Sequence, residues 1–136
     1  MLPRSDAVNA GRAADRPLWM EQNAQAFFAT HLGNTVSSAR IAWMVQQCLD
    51  CSLLASDEIL ESVFSTDFRA ELGEITVPTM IIHGDADASA PIDLCGRKTR
   101  ELIPGSVYKE YPAGGHGIII THAEQLNTDI VEFIKS

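Results

Sequence analysis

Cysteine is too scarce here for a disulfide framework. Cys48, Cys51 and Cys95 are an odd set in 136 residues, and no charged start followed by an apolar segment reads as a signal peptide. A reducing, cytoplasmic setting is the expectation. No apolar run approaches the roughly 18 residues that would suggest a membrane span. Positive charge is also short: 10 Lys and Arg against 18 Asp and Glu leave a formal net charge of -8. That balance argues against nucleic acid or an anionic membrane as the partner, because both attract basic surfaces. Internal repeats and low-complexity segments are absent as well. What remains is the composition of an ordinary folded protein, 46% apolar and 21% charged, with small neutral or weakly charged ligands left open. The length suits one domain or a piece of one, and is short for a complete doubly wound α/β enzyme.

Taken in order, residues 1–14 carry no sustained period and read as an irregular N-terminal segment. From Pro17 onward, Leu18, Trp19, Met20, Ala24, Phe27 and Phe28 predict a helix with an apolar face, ending near Gly33-Asn34. A second helix is predicted from Ser37 or Ser38, with Ile41, Met44, Val45 and Cys48 on one face. Cys48 and Cys51 have redox-motif spacing, but they lie inside this helical pattern and are read as packing residues with partial exposure. Ser56 reads as the N-cap of a helix over 57–64, and Thr66 as the cap of a short turn closed by Gly73. These helices form a cap-like region over 15–73.

The second half, 74–136, alternates strand, helix, strand, helix, which implies a parallel sheet covered by helices. Val77 to Ile82 has the length and β-branched content of a buried parallel strand. Pro91 suits the first turn of a helix running to Ile103, which Gly96 weakens, and Ser106 to Tyr111 reads as a mixed strand near a sheet edge. Thr121-His-Ala-Glu124 has the form of a capping box, followed by the stripe Leu126, Ile130, Phe133 and Ile134.

Chemistry is expected in the loop after the first strand, where Asp85 and Asp87 stand at its carboxyl end. A carboxylate there can accept a hydrogen bond from one nitrogen of a loop histidine. That bond fixes the tautomer and stabilises the imidazolium formed when the other nitrogen takes a proton. His116, between Gly115 and Gly117, is the candidate partner, and adjacent parallel strands would bring the two loops together. The plainer alternatives are a helix-capping carboxylate for Asp87 and a simple turn at His116. A metal site built from His83, Asp85 and Asp87 lacks a second cluster to complete it, so no metal is expected.

Pro78-Thr-Met-Ile-Ile-His-Gly-Asp-Ala-Asp87 with Pro91, the later Gly115-His116-Gly117 and Thr121-His-Ala-Glu124 together resemble the C-terminal half of α/β-hydrolases of the cofactor-free haloperoxidase, arylesterase and perhydrolase group. The likeness extends back through Thr66-Asp-Phe-Arg69 and, more loosely, to about Asp15. It implies a partial α/β-hydrolase fold: a helical cap region followed by the last two parallel strands and helices. It also implies that Asp87 is the triad acid and His116 the general base, with no cofactor. In that group the nucleophile sits on a Gly-x-Ser-x-Gly elbow. None of the 9 glycines here frames a serine in that way.

The expectation is therefore a chain of esterase ancestry, acting on small carboxylic esters and able in its complete form to use peroxide, but inactive alone. Its implied partners are an ester or carboxylic acid substrate and the N-terminal half of the fold, or a second copy of itself. Trp19, Phe28 and Trp43 are candidates for lining an acyl pocket. The alternative from another class is a non-catalytic binding or assembly module that retains the second half of the fold.

Overall fold

The computed structural model describes residues 11–136. Of the segment read as irregular, 1–10 lie outside the described residues, while 11–14 are helical. The Asp15 amide closes that turn on Gly11 O at 3.2 Å. Asp15 then ends it by capping the next helix, its carboxylate accepting from Leu18 N at 2.9 Å.

The chain forms two compact units, and they interleave: residues 11–24 join Ser37–Phe68, while Gln25–Val36 join Arg69–Ser136.

The first unit is helical. Helix α1 (Arg16–Phe28) starts here, followed by α2 (Ser38–Leu49) and α3 (Leu53–Ser65). Ser37 caps α2 by accepting from Arg40 N at 3.2 Å. The cap of α3 is Ser52, which accepts from Ala55 N at 3.4 Å, so the predicted cap Ser56 lies inside the helix. Two leucines follow Ser52 at once, and their helix propensity carries α3 one turn further back than the acidic signal at Asp57 suggested. Ser56 instead receives the Arg12 guanidinium at 3.2 Å, and Arg12 also pairs with Asp57 at 2.7 Å. Arg16 donates to the carbonyls of Cys48 (2.7 Å) and Cys51 (3.0 Å), satisfying groups at the end of α2. Both cysteines are free and exposed, not packed as their periodicity suggested.

The second unit holds the sheet. Strands β1 (Met80–Gly84) and β2 (Val107–Tyr111) pair in parallel, in register from Met80 against Val107 to Gly84 against Tyr111. The predicted strand began too early: Val77 is 68% exposed and β1 starts only after Pro78, which lacks the amide a ladder needs. Between the strands runs α5 (Gly96–Leu102), preceded by turns from Pro91, whose carbonyl accepts from Leu94 N and Cys95 N. The short α4 (Arg69–Leu72) precedes β1, and α6 (Ile118–Thr121) and α7 (Ala123–Lys135) follow β2. Thr66 is the C-cap of α3, its hydroxyl on Ser62 O at 2.7 Å, and not the start of α4. The Thr121 capping box does not form either. Thr121 belongs to α6 and its hydroxyl turns back to Gly117 O, leaving His122 as the cap position of α7.

Phe28, Ala29, Ile92, Ile103 and Tyr111 form the buried apolar positions of this unit. Among the described residues, no helix is long and apolar enough to cross a membrane.

Candidate active site

The strand ends of β1 and β2 are locked together by backbone. Tyr111 O accepts from Asp85 N at 3.1 Å and from Gly114 N at 3.0 Å, and Gly114 O accepts from Ala86 N at 2.9 Å. This interlock needs Gly84, because a Cβ there would fall 2.2 Å from Gly114 O. The loop after β1 and the loop after β2 consequently leave the sheet side by side.

Asp87 and His116 meet across that junction, Nδ1 of His116 lying 2.8 Å from Oδ2 of Asp87. The other carboxylate oxygen, Oδ1, accepts from Ser89 N and Ala90 N, both at 2.8 Å. Asp87 therefore both caps its own loop and holds the histidine. The carboxylate side chain is 6% exposed and the imidazole 44%. A buried ionised carboxylate with two amide donors fixes Nδ1 as the protonated nitrogen, leaving Nε2 with its lone pair. Phe27 meets the imidazole edge-on at 5.1 Å between ring centroids.

His83 lies on the other side of the same carboxylate. Its Nε2 is 2.8 Å from Ala90 O and 3.5 Å from Asp87 Oδ2, so it donates to the carbonyl and closes the acid loop. Gly96 makes room for this ring, since a Cβ there would stand 2.7 Å from His83 Nδ1. The glycine that weakens α5 is thus explained by the side chain beneath it. Asp85 is exposed. Among the described residues, no group of three His, Cys, Asp or Glu is placed to hold a metal ion.

Cys95 is half-buried nearby. Burial, and secondarily the charge of Asp87, pushes its thiol pKa up. A thiol held protonated is no substitute nucleophile.

Of the three aromatic residues named as pocket candidates, Phe28 is buried in the second unit, its ring against Gly117, where a Cβ would meet Phe28 Cδ1 at 2.4 Å. Trp19 and Trp43 belong to the first unit. Trp19 packs on Gly11, and Trp43 is 59% exposed. A surface hollow at α5 and β2 is lined by Arg97, Arg100, Glu101, Tyr108 and Glu110. Its charges are already engaged: Arg97 with Asp93 and Glu110, Glu101 with Lys98, and Arg100 over the Tyr108 ring.

Sequence reasoning missed a second polar cluster behind the junction. The Tyr111 hydroxyl donates to Asp129 Oδ2 at 2.6 Å, and Lys109 Nζ donates to Asp129 Oδ1. The signal was present: Asp129 falls between Leu126 and Phe133 at helical spacing, a carboxylate on the apolar face of α7. Asn34, described below, gave no such signal.

No family model matches the chain. It is 30% identical over 133 residues to the non-heme chloroperoxidase CPO-A1 of Kitasatospora aureofaciens, covering 96% of this chain and 48% of that protein. Over 71 residues it is 39% identical to the bifunctional esterase/perhydrolase DCH of Acinetobacter calcoaceticus, 52% of this chain and 26% of the relative. Among solved structures, the bromoperoxidase from Bacillus anthracis matches with a TM-score of 0.87 and 31% identity, over 96% of this chain and 48% of that one. The esterase EaEST from Exiguobacterium antarcticum matches with a TM-score of 0.85 and 26% identity, over 96% and 47%. The chain spans about half the length of the relatives it matches from end to end.

Proposed function

Because the chain is the C-terminal portion of an α/β-hydrolase of the non-haem haloperoxidase group, we propose that Asp87 and His116 are the acid and general base of a Ser-His-Asp triad acting on small carboxylic esters. The observation that carries this reading is the 2.8 Å bond between His116 Nδ1 and Asp87 Oδ2, which frees Nε2 to take a proton.

In this reading His116 Nε2 removes the serine hydroxyl proton as the serine oxygen attacks the ester carbonyl. The same proton then passes to the departing alkoxide, leaving an acyl-serine. Water, activated by the same nitrogen, releases the acid. Hydrogen peroxide in place of water releases a peracid, and the names of the relatives support both outcomes. Asp87 orients the imidazole and stabilises its charged form. The serine has no Gly-x-Ser-x-Gly frame in these residues, so it is supplied by protein outside them, as the N-terminal half of the fold or a second chain.

A fluorophosphonate probe tests this. The chain alone should not label. Mixed with the serine-bearing N-terminal half of a relative, the pair should label on that serine and hydrolyse p-nitrophenyl acetate, and His116→Gln should abolish both. Stoichiometric labelling of the chain alone overturns the external nucleophile. A mixed pair that associates but neither labels nor hydrolyses favours the non-catalytic assembly module.

A further inference from the structure

One side-chain amide holds three backbone carbonyls. Asn34 Nδ2 donates to Ala113 O at 2.7 Å, Phe28 O at 3.0 Å and Ala29 O at 3.2 Å. An amide has two hydrogens, so one of them is shared. Two of these acceptors belong to Ala29 (φ 49°) and Ala113 (φ 56°), the non-glycine residues with positive φ among the described residues. That region is unfavourable for any residue with a Cβ, and the conformation persists only where the surroundings over-determine it.

Both strained alanines flank the histidine's support. Ala113 opens the segment that carries His116. At its far end, Gly117 N donates to Phe27 O at 3.0 Å, and Gly115 lies so close that a Cβ would fall 2.5 Å from the same carbonyl. The 113–117 segment is thus pinned to 27–29 at both ends, by Asn34 and by Phe27 O, with His116 between. The imidazole is 44% exposed and, among the described residues, meets only Phe27 ring to ring, so the course of the 113–117 backbone decides whether Nδ1 reaches Asp87.

We propose that Asn34 is a positioning residue for His116: its amide holds Ala113 and Ala29 in left-handed conformation and thereby sets the loop so that Nδ1 meets Asp87. The consequence for catalysis rests on the reading of His116 as general base, but the placement itself does not.

The test is long-range 1H–15N NMR of the histidine side chains in the full chain, with far-UV circular dichroism as the folding control. In the unaltered protein His116 should be almost wholly the Nδ1–H tautomer. Asn34→Ala, and Asn34→Asp, which keeps the shape but offers no donor, should shift His116 towards the Nε2–H tautomer. The tautomer ratio should approach that of Asp87→Asn. His83, the other imidazole on this carboxylate, is followed in the same spectra as an internal reference. If Asn34→Ala does not fold, Asn34→Asp carries the test, and the double variant Asn34→Ala with Ala113→Gly, whose glycine takes the left-handed conformation unaided, should show a smaller shift than Asn34→Asp. A variant that lowers the melting temperature while leaving the His116 tautomer unchanged overturns the proposal. Absence of esterase activity in any reconstituted pair would leave this result standing.

Discussion

The Tyr111 hydroxyl and the Asp129 carboxylate are joined at 2.6 Å, with Tyr111 wholly buried. The same residue's carbonyl receives the amides of Asp85 and Gly114. One residue therefore ties α7 to the two loops that carry Asp87 and His116.

Lys109, and then Tyr111, hold the Asp129 carboxyl below the usual carboxylate range. A carboxylate depressed in the folded state adds stability above its unfolded pKa of about 4, and that contribution is lost as pH falls through the folded value. Asp129→Asn should lower the urea midpoint at pH 7 and flatten its fall below about pH 4. For Tyr111, burial and then Asp129 raise the phenol pKa. Its contribution is complete below the unfolded pKa of about 10 and lost as pH rises beyond it. Tyr111→Phe should accordingly remove part of the alkaline loss of stability.

Gly84→Ala should destabilise by about 1 to 3 kcal/mol, because the new methyl meets backbone that has no rotamer to change. Gly114 O and Gly115 O would lie 2.2 and 2.8 Å away. Gly33→Ala is the control, with open space around the position but φ at +99°. It should cost about 1 kcal/mol through backbone strain alone. Denaturant midpoints of the two variants separate collision from conformation.

Ser52→Ala should cost about 1 kcal/mol by removing the α3 cap, and Ser56→Ala less, because it sits inside the helix where alanine is favoured. Thermal unfolding of the two variants compares them directly. A larger loss for Ser56→Ala than for Ser52→Ala would place the start of α3 at Ser56.

The Glu110 carboxyl is lowered to about 2, first by the Arg97 hydrogen bond. Arg97 donates to it twice, at 2.9 and 2.8 Å. Carboxyl 13C titration should find Glu110 ionised through acid pH in the parent protein and moved up towards the ordinary glutamate value in Arg97→Ala. Both groups are exposed, so the unfolding midpoint at neutral pH should barely move.

The alternation of strand and helix after residue 74 was legible because it rests on local pattern, although the helix expected from Pro91 begins only at Gly96, after the turns that Pro91 opens. The strand end pointed to the loop holding Asp85 and Asp87, and the resemblance of Pro78–Asp87 and Gly115-His116-Gly117 singled out Asp87 and His116, which the structure brings to 2.8 Å. Ser37 was legible as a cap. Ser52 was not, since Ser56 satisfies the same rule and only the propensity of the leucines after Ser52 decides between them. Val77 misled because β propensity does not register that Pro78 interrupts the ladder. Asn34 was invisible in principle, because its partner Ala113 lies 79 positions away and its function is to satisfy carbonyls, which every residue has. Gly96 looked like a flaw in a helix until His83 was seen beneath it.

The acid and the base are only 29 positions apart, held by a single crossover from β1 through α5 to β2. The entropy of closing such a loop grows only with the logarithm of its length, so one crossover of this size sets the geometry of the pair. Any polypeptide that keeps this crossover carries Asp87 and His116 in register with it, so the pair travels as one block of sequence.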